Sequence, residues 1–236
     1  MCKRMKYQEI DFSKVIAVSN RHLTRLPYLE QADRICSFHP RAFLLREKDL
    51  PPEEYLRLAE EVKRICDRHH VTMIAHFYPE AAERIGSRFL HLPLWKLKEL
   101  RRGSCEAPDE ETNGVTGEVR DDENRVKTSG VPQNSTPQNP MPQKGGLKIG
   151  VSVHSAEEAR EAVRLGTSYL TAGHIFATDC KKGVPPRGLE FLKGICELAP
   201  VPVYGIGGIR LDPEQIREVL AQGAAGACIM SQMMRM

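Results

Sequence analysis

The segment GHIFATDCKKG, residues 173–183, concentrates reactive side chains directly after the short apolar run SYLTAG. Its reactive side chains are those of His174, Asp179, Cys180, Lys181 and Lys182. Imidazole moves protons near neutral pH, ammonium groups attract anions, and a thiol beside two lysines can have a lowered pKa. The sequence places no base for Cys180, so nucleophilic catalysis by that thiol is the weaker interpretation.

Two further segments follow apolar runs near the C-terminal end of the sequence: GIGG, residues 205–208, and MSQ, residues 230–232. Glycines let a phosphate approach backbone N–H groups closely, which favours phosphate binding, although a tight turn would explain the same residues. GIGGIR is not a dinucleotide fingerprint, because the position of its third glycine is taken by Arg210.

His154 ends the run KIGVSV with Ser152 two residues earlier, so both side chains point the same way along an extended chain. An imidazole at the end of a strand suits proton transfer, and a structural histidine is the alternative. Arg46 and Lys48 likewise share one side of another strand's end, where two cations can pair with a carboxylate or a dianion. A solvent-exposed face is the alternative for these two.

A metal site is not predicted. The histidines at 69, 70, 76 and 91 lack the spacing of a known zinc site, and the seven cysteines contain no C-x-x-C pair. Scattered cysteines in odd number also argue against a disulfide framework and favour a reducing compartment.

Composition narrows the class of protein. A net charge of +3 and a pI near 8.4 are too mild to predict nucleic-acid binding, and no apolar run approaches the ~20 residues of a membrane-spanning helix. The first residues carry charges without an apolar signal core, so we expect a cytoplasmic protein that binds neither nucleic acid nor membrane.

Eight β-rich runs alternate with helical patterns along the 236 residues. The clearest helix follows Pro51 and Pro52, with apolar residues at i, i+3 and i+4 spacing from Tyr55 to Cys66. Capping signals precede two others, at Ser155 with Glu158 and at Asp212 with Pro213 and Gln215. Eight such units at this length predict a (β/α)8 barrel, with a doubly wound open sheet as the alternative.

Residues 102–146 interrupt the alternation with a polar stretch that cannot bury enough apolar surface to fold. We therefore predict one barrel domain over 1–236 with a disordered insertion between units four and five. Only five residues follow Ser231, so the final helix is expected to be missing or truncated. The methionines there, at 230, 233, 234 and 236, predict either contact with a second copy in a homo-oligomer or a frayed end.

Five stretches together carry a family resemblance: SVHSAEEA, GHIFATDCKKG, GLEFL, PVYGIGGI and GAAGACIMS. They resemble the thiamine-phosphate synthase superfamily, and the His-x-Phe and Thr-Asp-Cys-Lys-Lys-Gly elements are similar to its thiazole tautomerase (TenI) branch. The likeness is strong over 147–231 and weak over 14–95, through SNR and LLREKDL. It implies the same barrel fold.

The resemblance also assigns roles. It implies phosphate binding by Gly207, Gly208, Met230 and Ser231, and contacts to the substrate from Arg46, Lys48, Ser152, His174 and Lys181. The synthases hold Mg²⁺ with aspartates, yet here the first aspartate position falls on Ala75-His76 and the second near Lys96. The synthases' HLGQ turn reads His91-Leu92-Pro93-Leu94, and Leu44 replaces a usual glutamine. Loss of the carboxylates removes the ligands that a hard cation needs.

The implied activity is therefore a thiazole tautomerase of thiamin biosynthesis, in which His154 moves a proton on a carboxythiazole phosphate without a cofactor. Two alternatives remain. One is a thiamine-phosphate synthase, a transferase needing Mg²⁺, with Asp49 or Asp179 as substitute ligands. The other is a non-catalytic regulator that binds thiazole or thiamine phosphates.

Overall fold

The computed structural model of the protein describes residues 7–103, 146–178 and 183–236. Eight parallel strands close into a barrel in sequence order, each hydrogen-bonded to the next and the last to the first. The strands are β1 Val15–Val18, β2 Ala42–Leu44, β3 Thr72–His76, β4 Phe89–Pro93, β5 Lys148–Val153, β6 Tyr169–Gly173, β7 Val203–Ile206 and β8 Gly226–Ile229. The predicted (β/α)8 fold is confirmed, and the open sheet is excluded.

Seven α-helices connect the strands: α1 Tyr28–Cys36, α2 Pro52–Arg68, α3 Pro79–Arg84, α4 Leu94–Gly103, α5 Ala156–Arg164, α6 Gly188–Leu198 and α7 Pro213–Ala221. The sequence signals explain several of their starts. Pro52 and Pro213 occupy the first turn of α2 and α7, where a missing N–H costs nothing. Asp212 caps α7 as predicted, but Gln215 accepts from the amide of Arg210 and not from that of Asp212.

Alternation along the strands divides the core into two layers. One set of side chains packs between the strands and the helices, with Tyr55, Ala59 and Val62 of α2 fully buried there. The alternate residues fill the barrel interior and include Ile16, Val18, Ala42, Leu44, Ile74, Tyr169, Tyr204 and Cys228. Period-2 alternation therefore places the next inward positions, at the carboxyl ends of the strands, around the mouth of the barrel.

The residues after β8 form a 3-10 turn, Met233–Arg235, in place of an eighth α-helix. Met233 and Met234 are fully buried, and the backbone carbonyl of Met233 accepts from Gln31 Nε2 of α1 at 2.8 Å. These two methionines are covered by the chain itself. The homo-oligomer stays a prediction.

The insertion predicted over 102–146 lies, for nearly all its length, outside the described residues. On either side of it, β4 and β5 pair over five positions, from Phe89 opposite Lys148 to Pro93 opposite Ser152. No helix among the described residues has the length and apolar character needed to cross a membrane.

Candidate active site

His154 lies directly after β5, at the mouth of the barrel, and its backbone is held by the start of α5. Ser155 caps that helix by accepting from the amide of Glu158, whose carboxylate reaches back to accept from the amide of His154. The predicted Ser155 cap is thus formed, but Glu158 accepts from the amide of His154 and not from that of Ser155, so the reciprocal half of the capping box is not made. The ring is fixed by a hydrogen bond of 2.7 Å between Nδ1 and the carbonyl of Gly173 in β6.

That contact decides which nitrogen of His154 is free. A carbonyl oxygen can only accept, so Nδ1 carries a hydrogen and donates it to Gly173. In the neutral ring, Nε2 is then an unprotonated acceptor. Nε2 has no hydrogen-bond partner in the described part of the chain. The ring therefore presents a base to the mouth of the barrel.

Two further imidazoles lie side by side on the inner face of the barrel: His76 is the last residue of β3, and His91 is in the middle of β4. The rings of His76 and His91 are stacked with centroids 6.2 Å apart, and both side chains are buried. Burial first, and then repulsion from His91, Arg46 and Lys48, lowers the pKa of His76 to about 2. Burial and the same two cations lower the pKa of His91 to about 3. Both rings are neutral at physiological pH.

These shifts also locate the charge of Arg46 and Lys48, which follow β2. Their positive field reaches both imidazoles, so the two cations lie at the same side of the mouth. The backbone there is held by Ser19, whose hydroxyl oxygen accepts from the amide of Arg46 at 2.8 Å and donates to Glu47 at 2.6 Å.

Glu47 is a buried carboxylate, 2% exposed, behind the two cations. It also accepts from the backbone amide of Arg21 at 3.1 Å and pairs with that side chain at 3.4 Å. Arg21 binds the exposed Asp49 in bidentate fashion, and His22 contacts the same carboxylate. Hydrogen bonds from Arg21 and then His22 hold the pKa of Asp49 well below its ordinary value.

On the opposite side of the mouth, Gly207 and Gly208 follow β7 with φ values of 95° and 73°. A Cβ atom on Gly207 would lie 2.3 Å from that of His174, and one on Gly208 would lie 2.5 Å from two carbonyl oxygens, those of Phe176 and Ala177. Only glycine fits such a backbone. Neither glycine amide donates to an acceptor among the described residues, so both are available to a ligand.

Met230 and Ser231 follow β8 beside this loop. β7 and β8 pair from Tyr204 opposite Gly226 to Ile206 opposite Cys228, so the two loops are neighbours. Gln232 joins them by accepting from the amide of Leu211. Within the described residues, the Ser231 amide also has no acceptor. The four residues predicted to bind phosphate are therefore on adjacent loops.

His174, the first residue after β6, is buried, with 4% of its surface exposed. Its Nε2 donates to the carbonyl of Val184 at 3.3 Å, and Nδ1 is enclosed without a partner among the described residues. His174 thus fastens the far side of its own loop, and substrate contact by it stays a prediction. Lys181, like Asp179 and Cys180, lies outside the described residues.

Sequence reasoning missed several residues of this site: Ser19, Arg21, Glu47, Tyr169 and Thr171. Glu47 stands between two cations in the sequence, which reads as an exposed charged run. Tyr169 and Thr171 read as an apolar strand, but period-2 alternation counted back from Gly173 would have turned both inward.

A sequence model described as thiamine monophosphate synthase, TMP-TENI, matches residues 15–102 and 131–233 of this chain. The chain belongs to this family. It is 26% identical to thiamine-phosphate synthase 2 of Streptococcus pneumoniae, over 94% of this chain and 88% of that protein. It is 47% identical to the Pyrococcus horikoshii thiamine-phosphate synthase over 88 residues, 37% of this chain and only 42% of that relative.

A solved structure of the family shows the same fold. Thiamine phosphate pyrophosphorylase from Pyrococcus furiosus superimposes with a TM-score of 0.66 at 23% identity, covering 95% of this chain and 88% of that one.

The described residues do not fit the Mg²⁺ site that the resemblance implies for the synthases of this family. On β3 and β4 stand two neutral imidazoles, His76 and His91, under the field of two cations. The nearby carboxylates, Glu47 and Asp49, are already bound by Ser19, Arg21 and His22. The described residues contain no group of three or more His, Cys, Asp or Glu that could hold a metal. A hard cation prefers free oxygen ligands.

Proposed function

We propose that this protein is a thiazole tautomerase, which moves the exocyclic double bond of a carboxythiazole phosphate into the ring and makes the ring aromatic. The observation that carries the proposal is a His154 ring whose Nδ1 is bound to Gly173 and whose Nε2 has no partner among the described residues, beside a mouth that carries two cations. A base and an anion-binding surface suit proton transfer on a dianionic substrate.

The chemical step needs one residue to move protons. His154 Nε2 takes the hydrogen from the ring carbon that bears the carboxylate, and the imidazolium then returns a proton to the exocyclic carbon. Nδ1 keeps its hydrogen bond to Gly173 throughout, which preserves the ring's orientation. No electron leaves the substrate and no proton is lost, so neither cofactor nor co-reactant is required, and aromaticity supplies the driving force.

Charge develops on the substrate between the two proton transfers, when the intermediate resembles an enolate. Arg46 and Lys48 are the cations we assign to the carboxylate, where they also disperse this charge. Lys181 is assigned the same role from the resemblance alone. The phosphate is held across the mouth by the amides of Gly207, Gly208 and Ser231, with Met230 beside them.

Synthase activity is the second candidate, because the relatives reported above bear that name. It would require the diphosphate's Mg²⁺ to be held by other carboxylates. Asp49 would have to release Arg21 and His22 to serve, and Asp179 lies outside the described residues. The third candidate, a regulator without catalysis, predicts ligand binding and no turnover.

One experiment separates all three. Purified protein is given the thiazole tautomer alone, with and without a chelator, or thiazole phosphate with the pyrimidine diphosphate and Mg²⁺. We expect aromatisation above the uncatalysed rate, unaffected by the chelator, and little thiamine phosphate. Rapid formation of thiamine phosphate would establish the synthase instead, and tight binding without turnover would establish the regulator.

A further inference from the structure

Four polar side chains form a hydrogen-bonded chain across the barrel interior, below the mouth. Tyr169 Oη lies 3.0 Å from His91 Nδ1, His91 Nε2 lies 2.8 Å from Ser152 Oγ, and Ser152 Oγ lies 3.0 Å from Thr171 Oγ1. Ser152 is half-buried, whereas the other three are buried. The chain thus leads from the closed interior to the mouth.

Gly150 allows Tyr169 to reach this far. It occupies the inward position of β5 opposite Tyr169, and a Cβ atom there would lie 1.9 Å from the ring carbon that bears the hydroxyl. The tyrosine ring therefore lies flat against bare backbone and delivers its hydroxyl to His91. Any larger residue at 150 would displace it.

The hydrogens of this chain can be assigned by accounting for donors and acceptors. Tyr169 Oη reaches one hydrogen-bonding partner among the described residues, His91 Nδ1. Burial raises the pKa of Tyr169 well above its ordinary value, so the hydroxyl keeps its hydrogen. If Tyr169 Oη accepted a hydrogen bond from His91 Nδ1, the tyrosine's own hydroxyl hydrogen would be buried without an acceptor, which costs about 1–3 kcal/mol. Tyr169 therefore donates to Nδ1.

This direction of donation fixes the direction of the next two hydrogen bonds. Neutral His91 carries its single hydrogen on Nε2 and donates it to Ser152 Oγ. The Thr171 hydroxyl is buried, 1% exposed, and its one partner among the described residues is Ser152 Oγ. It therefore donates to Ser152 Oγ for the same reason that Tyr169 donates to His91. Both lone pairs of Ser152 Oγ are then taken, and its own hydrogen is left for a ligand.

We propose that Ser152 is an obligate hydrogen-bond donor to the ring nitrogen of the substrate, and that Tyr169, His91 and Thr171 are positioning residues that fix this polarity. The proposal rests on the proposed function for the identity of the ring. Ser152 stands two residues before His154 on the same side of β5, so donor and base address one ring. A donor at the nitrogen stabilises the negative charge that proton removal leaves on the ring.

The first test needs no turnover. Two-dimensional ¹⁵N–¹H spectra of the full-length protein, with ring-labelled histidine, report which nitrogen of His91 is protonated. We expect the hydrogen on Nε2 between pH 6 and 8. A hydrogen on Nδ1, or a His91 that exchanges between the two forms, overturns the proposal whether or not the protein is a tautomerase.

The second test measures kcat and KM for the thiazole tautomer. Ser152→Ala should lower kcat about 10²-fold, and Tyr169→Phe about 10-fold, with KM little changed in both. The kcat of the double variant should be no lower than that of Ser152→Ala, because both substitutions remove the same hydrogen-bond donor. Independent, multiplying effects would indicate a merely structural tyrosine and contradict the proposal.

Tyr204→Phe is the matched control. Tyr204 is a second buried tyrosine of the interior, edge-on to Tyr169 at 6.0 Å, and its hydroxyl bonds none of the described residues. Its kcat should stay at the wild-type value. If Tyr169→Phe does not fold, Thr171→Val removes the other donor to Ser152 and should also lower kcat about 10-fold. If the wild type shows no tautomerase activity, the proposed function is wrong. The His91 spectrum would still show whether the Ser152 hydroxyl is left to donate to a ligand.

Discussion

The two halves of the barrel mouth are built by different means. After β7 and β8, the surface we assign to the phosphate is backbone: glycines with positive φ and amides that have no acceptor among the described residues. On the side of β2, β3 and β4, it is side chains: Arg46, Lys48 and the two neutral imidazoles of His76 and His91. A phosphate can be held by any chain with the right backbone, whereas the reaction depends on which side chains stand opposite. Members of one family can thus share the first half and differ in the second.

Between the two halves stands His154, so its substitution should have the largest effect. His154→Gln keeps a hydrogen-bonding side chain at the end of β5 but removes the base. We expect kcat for tautomerisation to fall by about 10²–10⁴-fold, with KM within a few-fold of wild type. The change is followed by the ultraviolet absorbance of the aromatic product. An unchanged kcat would show that another group moves the proton.

Lowering the pH should reduce the free energy of unfolding through the two buried histidines, His76 and His91. In the folded protein His76 and His91 stay neutral to about pH 2 and 3, whereas in the unfolded chain they bind protons below their ordinary pKa near ~6.5. The unfolded state therefore binds more protons in this window, and stability that is complete above pH ~6.5 falls as the pH drops. The loss is at most about 4 kcal/mol by pH ~5, at ~1.4 kcal/mol per pH unit for each ring.

Urea unfolding at a series of pH values measures that loss. The double variant His76→Gln/His91→Gln should show a clearly flatter dependence between pH ~7 and ~5. His70→Asn, at an exposed histidine, is the control and should keep the wild-type slope. Equal slopes in all three proteins would mean that the two mouth histidines do not stay neutral on folding.

The buried carboxylate behind the cations should matter more than the exposed one. Glu47→Gln leaves Arg21 and Ser19 without their charged acceptor and should lower the free energy of unfolding by about 2–3 kcal/mol. Asp49→Asn removes the exposed partner of the same Arg21 and should cost clearly less. Urea denaturation compares the two. A larger effect from Asp49→Asn would contradict the assignment of Glu47 as the anchor of Ser19 and Arg21.

The backbone half can be tested with a pair of glycines. Gly208→Ala combines a positive φ with a clash against two carbonyl oxygens, so the loop must move. Gly86→Ala has a similar φ of 63° and nothing within 4 Å. Both should lose about 1 kcal/mol of stability from strain, but Gly208→Ala alone should raise KM for the phosphate-bearing substrate about 10-fold. Equal KM values would place the phosphate elsewhere.

The fold followed from the sequence because each of its causes is local. These causes act within a few residues: alternating apolar runs, prolines at helix starts and the Ser155 cap. Eight strand–helix units can then close in only a few ways. The glycine loop after β7 was visible for the same reason, since glycine at positive φ is a property of one residue. The Glu47 anchor and the Tyr169–His91–Ser152 chain were not, because their partners lie 26 to 78 residues apart.

The contact made by the residues after β8 could not be foreseen either. Met233 and Met234 pack against the barrel in a 3-10 turn, and Gln31 of α1 donates to the carbonyl of Met233. A side chain 202 residues away in the sequence makes that contact, and no local pattern announces it.

The most direct measurement of the central claim is a crystal structure of the protein with the carboxythiazole phosphate product bound. The account predicts the phosphate on the amides of Gly207, Gly208 and Ser231, and the ring carbon that bears the carboxylate within about 3.5 Å of His154 Nε2. A phosphate bound away from these loops, or a ring out of reach of His154, would contradict it.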